Sequence, residues 1–358
     1  MTEQKGKVMV AMSGGVDSSV TAFLVLQQGF SALGATMRLI NNYDPSPDKA
    51  RACGAETDIA DAKAVCARLG CPHEVLDFAE PFRHEVMERF AKAYEAGLTP
   101  NPCVDCNRYI KFGRLFQAAR SENCDYIATG HYARVTKQGD RCVLQKAVDE
   151  SKDQSYVLYS LSAEQLRHTM FPLGEFTKAE VRELAEENGF ANAKKRDSQD
   201  ICFVPDGDYA AFLERFTGKT FAPGDFVDRT GRVLGTHKGI IRYTIGQRRG
   251  LGLALPASMY VLEKDVPNNR VVLGFDDDLY TKKLTVGDLC LSACDTLSGE
   301  EKLCVKIRYN QKAQPATVVQ TEKDRLEITF DEPQRAVTRG QAAVLYDGET
   351  VVGGGTIL

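Results

Sequence analysis

No run of about 18 apolar residues occurs in this sequence, so a membrane-crossing helix is excluded. The stretch Met1 to Lys7 is short and polar and runs straight into an apolar segment, unlike a secretory signal. Internal repeats and low-complexity segments are lacking as well. The chain has 11 cysteines, but the count is odd, the chain is 358 residues long and no export signal precedes it. A disulfide scaffold is therefore disfavoured, and a cytoplasmic protein with reduced, catalytic or metal-binding thiols is expected. Composition, at 43% hydrophobic and 26% charged, is ordinary for a globular protein, and the length suits two or three domains. A net charge of -4 does not announce a nucleic-acid binder. Its distribution is more suggestive. Between Arg229 and Leu262 there is no Asp or Glu, whereas Arg229, Arg232, Lys238, Arg242, Arg248 and Arg249 are all present. Either a polyanion or plain solvent can face such a segment.

Periodicity divides the chain. The apolar run Val8–Ala11 leads through Ser13-Gly14-Gly15 into a helical pattern that ends at Gly29, which reads as strand, glycine loop, helix. Phe30–Leu39 reads as a second strand and 41–47 as a polar loop. Helices are expected over Thr57–Leu69 and Phe82–Ala96, with a short strand at Tyr126–Thr129. Thr177 and Glu180 have capping-box spacing and open a helix ending at Gly189. Strands alternating with helices predict an α/β doubly wound parallel sheet over 1–205. Glycine and proline become dense after Asp206, predicting a small α+β domain over 206–278. Five short alternating runs then predict a C-terminal β-barrel over 279–358, with Asp347-Gly348 as a hairpin turn.

The loop Ser13-Gly14-Gly15-Val16-Asp17-Ser18-Ser19 combines glycines that let the backbone approach an anion with hydroxyls and a helix N-terminus. It lacks the Gly-Lys-Ser/Thr of the common phosphate loop, so transfer of a γ-phosphate is not its expected task. These residues resemble the PP-loop of the ATP pyrophosphatase superfamily, whose members adenylate a substrate and release pyrophosphate. The resemblance implies that Asp17 helps to hold Mg²⁺ on the phosphates.

Cys103 and Cys106 lie three apart in the proline-stiffened Pro100-Asn101-Pro102-Cys103-Val104-Asp105-Cys106-Asn107, and Cys202 follows Asp197-Ser198-Gln199-Asp200-Ile201. Spacing alone allows half a zinc site, a redox pair or two thiols of a cluster. A second Cys-x-x-Cys or a His-x-x-x-His is missing. Cys66, Cys142, Cys290 and Cys304 fall on apolar faces or in strand-like runs and read as core. Lys194, Lys195 and Arg196 are close to Cys202 in sequence, either as cations that favour its thiolate or as a solvated basic turn.

With Ala128-Thr129-Gly130-His131-Tyr132-Ala133-Arg134, Lys152-Asp153-Gln154-Ser155-Tyr156, Tyr243-Thr244-Ile245-Gly246-Gln247-Arg248 and Gly353-Gly354-Gly355 added, the chain resembles the bacterial tRNA-specific 2-thiouridylase family over nearly its whole length. That resemblance implies ATP contacts at Ala11, Met12, Ser13, Gly14, Gly15, Val16, Asp17, Ser18, Met37 and Gly130. It implies tRNA contacts at His131, Lys152, Asp153, Gln154, Arg308, Tyr309 and Gln341, with Asn101, Pro102 and Cys103 bordering the flipped base. Cys106 is then the nucleophile and Cys202 the persulfide carrier, with a disulfide between them to be resolved.

Many family members carry Asp where this chain has Cys103. Two expectations follow. In one, Cys202 carries a persulfide and Cys103 is a bystander or a weak acid/base. In the other, Cys103, Cys106 and Cys202 hold a [4Fe–4S] cluster that delivers sulfide, and the Asp-to-thiol replacement favours this one. ATP, Mg²⁺, tRNA and a sulfur donor protein or sulfide source are the implied cofactors and partners. Adenylating the C2 oxygen of the wobble uridine would make AMP the leaving group for an attacking sulfur. Two rivals remain at this level: an amidating or lysidine-forming PP-loop enzyme, and a non-catalytic RNA-binding protein regulated by ATP.

Overall fold

The structure is a computed structural model that describes residues 5–40, 55–193, 195, 201–204, 206–255 and 257–358. The first apolar run forms β1 (Lys7–Ala11), followed by α1 (Val16–Gln27), β2 (Ser31–Arg38), α2 (Glu56–Leu69), β3 (His73–Asp77) and β4 (Tyr126–Ala128). A hairpin, β5 (Arg134–Gln138) and β6 (Arg141–Gln145), precedes β7 (Thr169–Met170). Five of these strands make a parallel sheet in the order β3-β2-β1-β4-β7. The order turns back on itself between β1 and β4, so a crevice opens beyond their carboxyl ends. Alternation along β1 supplies two cores at once. Val8 and Val10 join α1 and α2 on one face, while Met9 and Ala11 join the other face.

That second face is covered by a helix of residues 102–121 and, directly, by the C-terminal barrel through Ala342, Val344, Tyr346 and Val351. The expected helices at Thr57–Leu69 and after Thr177 are present, the latter with both halves of its capping box. The expected helix at Phe82–Ala96 is a longer helix over 79–95 with a π-helical turn at Arg83–Glu88.

The middle region pairs a helix, Tyr209–Thr217, with β8 (Gly224–Asp228), β9 (Val233–His237), β10 (Tyr260–Asp265) and β11 (Arg270–Gly274) in the order β10-β11-β8-β9. Its core is not private. Phe226, Val261 and Leu273 pack in one cluster with Phe82, Phe90 and Tyr94 of the 79–95 helix.

The barrel has six strands where five were expected. β12 (Tyr280–Leu291), β13 (Glu300–Lys306), β14 (Gln314–Glu322), β15 (Arg325–Arg335), β16 (Ala342–Asp347) and β17 (Thr350–Ile357) run β12-β15-β14-β13-β16-β17, and β12–β17 pairing closes the ring. β12 escapes a period-of-two reading because its register shifts twice, and Asp288 takes φ 50° beside the second shift. The hairpin turn lies one residue further on than expected. Asp347 pairs with Thr350, leaving Gly348 and Glu349 in the turn. The β5–β6 hairpin leaves the parallel sheet and joins the barrel sheet, where Gln145 pairs with Thr350. Cys66 is buried as expected, but Cys304 is exposed because pleat alternation turns it outward.

Tyr156 shows how tightly the barrel is tied down. The side chain is fully buried and its hydroxyl donates to the Ala342 carbonyl of β16 at 2.9 Å. Tyr156→Phe leaves that contact unmade, and a loss of about 1 to 2 kcal/mol is expected. Chemical unfolding followed by barrel-specific hydrogen exchange checks it; an unchanged midpoint shows that the hydroxyl contributes nothing.

Candidate active site

The loop that ends β1 is shaped by sterics. Gly14 adopts φ 69°, and a Cβ there would lie 2.5 Å from the Asp58 carbonyl oxygen. Gly130, at the end of β4, comes so close to α1 that a Cβ would stand 3.0 Å from Asp17. The helix cap is Gly15, with no side-chain oxygen on the first amides of α1. Ser18 and Ser19 instead turn back on the Gly15 carbonyl at 2.9 and 3.0 Å, and Ser18 Oγ accepts from Ser13 N–H at 3.2 Å. Free amides at a helix start, a hydroxyl-lined turn and an exposed Ser13 fit a polyphosphate. Ala11, Met12 and Val16 are buried beneath the loop. Met37, at the end of β2, is half-buried against the clusters on either side of it.

Four residues that sequence reasoning did not place here hold the loop. Asn192 Nδ2 donates to the Gly14 carbonyl at 3.0 Å and to Ser19 Oγ at 2.9 Å. Lys195 Nζ reaches the same carbonyl at 3.3 Å and pairs with Asp58 and Asp61 at 2.8 Å each. Lys195 therefore serves the nucleotide loop, neither Cys202 nor open solvent; Lys194 and Arg196 lie outside the described residues. Lys178 Nζ donates to both oxygens of Asp17 at 2.8 Å, and the Tyr132 hydroxyl adds a third bond at 2.9 Å. A Mg²⁺ on bound phosphates needs only one or two protein carboxylates, and Asp17 at the mouth of the loop is placed to supply one. The capping box after Thr177 marks the helix carrying Lys178, but no local pattern identifies its partner.

The cysteine motif opens the 102–121 helix. Asn101 caps it by accepting the Cys103 amide at 3.1 Å, and Pro102 occupies the first position. Cys103 and Cys106 thus share one face of the first turn, where the helix field favours negative charge. A π-helical stretch begins at Cys106 and runs to Arg114. Val104 buries into the cluster that holds Ala11, which draws this turn towards the phosphate loop. Cys106 and Cys202 are half-buried and pack against one apolar cluster, together with Met37, whereas Cys103 is exposed. Asp197, Ser198, Gln199 and Asp200 lie outside the described residues.

Among the described residues no group of three or more His, Cys, Asp or Glu side chains is arranged to hold a metal ion. As placed, Cys103, Cys106 and Cys202 do not fit a [4Fe–4S] cluster. Burial raises the pKa of Asp105, between the two cysteines, above its ordinary value, and Arg89 at 3.5 Å opposes that shift.

The expected RNA contacts divide into two groups. Tyr309 is exposed beside Tyr156, with Lys306 over both rings. Gln341 donates to the Thr99 carbonyl at 2.7 Å, next to Asn101. Lys152 is half-buried. The others are engaged internally. Asp153 accepts from the Ala147 and Ser155 amides, Gln154 from the Tyr132 amide, and Arg308 donates to the Ala336 carbonyl and Thr338. His131 is only 7% exposed, lies near Phe112 and Phe171, and bonds to Thr129 at 2.6 Å. Burial and the Lys111 ammonium hold its pKa well below the ordinary histidine value, so the ring is neutral. The basic segment is also less naked than its composition. Arg229 pairs with Asp278, Arg232 with Asp228, and Arg242 with Asp208 and Glu214. Arg248 and Arg249 remain exposed without a carboxylate among the described residues.

Family models match three consecutive stretches. A tRNA methyl transferase HUP domain covers 6–206, a tRNA methyl transferase PRC-barrel domain 210–275, and an aminomethyltransferase β-barrel domain 281–357. Full-length relatives are named differently. The tRNA-specific 2-thiouridylase of Clostridioides difficile is 46% identical over 353 residues, 98% of each chain. Those of Acetivibrio thermocellus and Carboxydothermus hydrogenoformans are each 47% identical, covering 99% of both chains and 98% and 97% respectively. With that identity over nearly the whole length of both chains, the chain belongs to the tRNA-specific 2-thiouridylase family.

Proposed function

We propose that this protein is a cytoplasmic enzyme that uses ATP to replace the C2 oxygen of the tRNA wobble uridine with sulfur. The observation that carries the reading is the packing of the Cys103–Cys106 turn against the end of β1, beside an uncapped helix start suited to phosphates. The uridine oxygen attacks the α-phosphorus of ATP and pyrophosphate leaves. The terminal sulfur of a Cys202 persulfide then attacks C2, and AMP departs with the C–O electron pair. Cys106 attacks the Cys202 sulfur, which frees the thiolated base and leaves a Cys106–Cys202 disulfide for a two-electron thiol reductant. A donor protein's persulfide recharges Cys202 by passing its outer sulfur to the Cys202 thiolate and leaving as a thiolate. Sulfide does so only by attacking Cys202 in the Cys106–Cys202 disulfide, which gives the Cys202 persulfide and the Cys106 thiolate. Both thiols sit against one cluster, which suits such an exchange. Flipping the base out of the anticodon loop gives it access to these groups. Mg²⁺ would neutralise phosphate charge beside Asp17. Mass analysis of nucleosides after reaction with ATP and sulfide tests the reading: thiolated uridine is expected, and a methylated product would favour the reaction named in the domain descriptions.

Asp17→Ala is expected to lower tRNA-dependent pyrophosphate release by at least about a hundredfold, with tRNA affinity nearly unchanged. Release at the wild-type rate would sink the nucleotide-loop assignment.

Removing Arg248 and Arg249 together should weaken tRNA binding and flatten its salt dependence by roughly 0.7 to 0.9 in log–log slope per lost phosphate contact. Arg229→Gln, which removes a charge already paired with Asp278, should leave the slope as it was. Equal slopes in all three proteins would place RNA elsewhere.

Cys103 separates the two sulfur routes. Under the persulfide route, anaerobically purified protein is active without iron and Cys103→Ser retains thiolation. Joint loss of iron and activity in Cys103→Ser would instead restore the cluster route.

A further inference from the structure

Gly97–Thr99 leads into Asn101 and so sets where the cysteine helix begins. Two other parts of the chain grip it. Gly97 has φ 78°, and a Cβ there would lie 2.7 Å from Val266, just past β10. From the barrel side, a Cβ on Gly340 would lie 2.9 Å from Leu98. Thr99 N–H donates to the Arg339 carbonyl at 2.9 Å, and its own carbonyl accepts from Gln341. The Leu98 carbonyl is held by Lys264 Nζ of β10, at 3.2 Å.

Lys264 is an expensive choice for that position. Its ammonium lies 5.7 Å from the Tyr94 ring centre, and no carboxylate of the described residues pairs with it. Burial pushes its pKa down to about 8, so folding works against its charge. A methionine would fill similar space without that penalty.

We propose that Lys264 is a positioning residue for sulfur transfer: by holding the Leu98 carbonyl it fixes the approach to Asn101, and with it the direction in which Cys103 and Cys106 meet the target base. The proposal rests on the thiolation reading above. It also gives the middle domain a part in the chemistry without touching substrate.

Lys264→Met in the full chain tests it. The thiolation kcat is expected to fall about tenfold, as small misplacements of reacting groups do. KM for tRNA should stay within about twofold, because no RNA contact is lost. Melting temperature should be unchanged or higher, and amide exchange over 97–103 should quicken. Lys264→Arg, which keeps a donor, should recover part of kcat. A kcat within twofold of wild type overturns the proposal. So does a lowered melting temperature with faster exchange throughout the protein, the signature of a merely structural lysine. If the wild-type protein thiolates no uridine, the functional reading fails by itself. Exchange over 97–103 then judges the clamp alone, and unchanged exchange in Lys264→Met sinks it.

Discussion

A helix that starts on glycine leaves its first amides to whatever anion arrives, and the nucleotide domain is organised around α1 doing so. Ser, Thr, Asp or Asn at position 15 would satisfy one of those donors internally. With Gly15 there, the following serines bond backwards and the amides face the crevice at the β1/β4 switch point. Such a turn is held only if its neighbours hold it. Asn192 and Lys195 grip the Gly14 carbonyl from one side, and the Asp58 backbone closes over the residue from the other. Asp17 would be a lone carboxylate at this mouth, repelling phosphate. Lys178 counters that charge, and its Nζ stands within reach should Asp17 turn to a metal ion.

The cysteine turn has no domain of its own. Val104 belongs to the core under β1, Cys106 to the core shared with the middle region, and the loop before Asn101 is bonded to the barrel. Arg108, two residues on, reaches Asp288 of β12 at 2.6 Å. Three bodies therefore meet on one helix start, and a shift in any of them moves the thiols.

Local signals in the sequence reached as far as local physics does. Glycine geometry, capping and apolar period located β1, α1, α2 and the Thr177 box, because each is set within a few residues. The β5–β6 hairpin was not foreseen, and its docking on the barrel could not be: its partner, Thr350, is 205 residues from Gln145, and no period encodes a pairing of that range. Part of the basic segment is neutralised by acids that its own composition does not show: Asp208, Glu214, Asp228 and Asp278 lie outside the acid-free window. In the site, the loop and the thiols were legible as motifs. Lys178, Asn192 and Lys195 were not, since a lysine or asparagine acquires its role only from what the fold sets opposite it.

Cys103 marks the limit of motif reasoning. Three thiols at suggestive spacing invite a metal, and Asp-to-Cys replacement sharpens the invitation. Geometry pulls the other way. Cys103 lies in a turn capped by Asn101 and Pro102, and its neighbour Val104 is committed to the core, so its own side chain is directed outward. Joining Cys106 and Cys202 in one ligand set would require the Cys103 thiol to leave the surface, although it shares a helix face with Cys106. Burial chiefly, then Asp153 and the Cys103 thiol, raise the Tyr309 pKa, so the exposed thiol faces the barrel's Tyr309 rather than a closed ligand set.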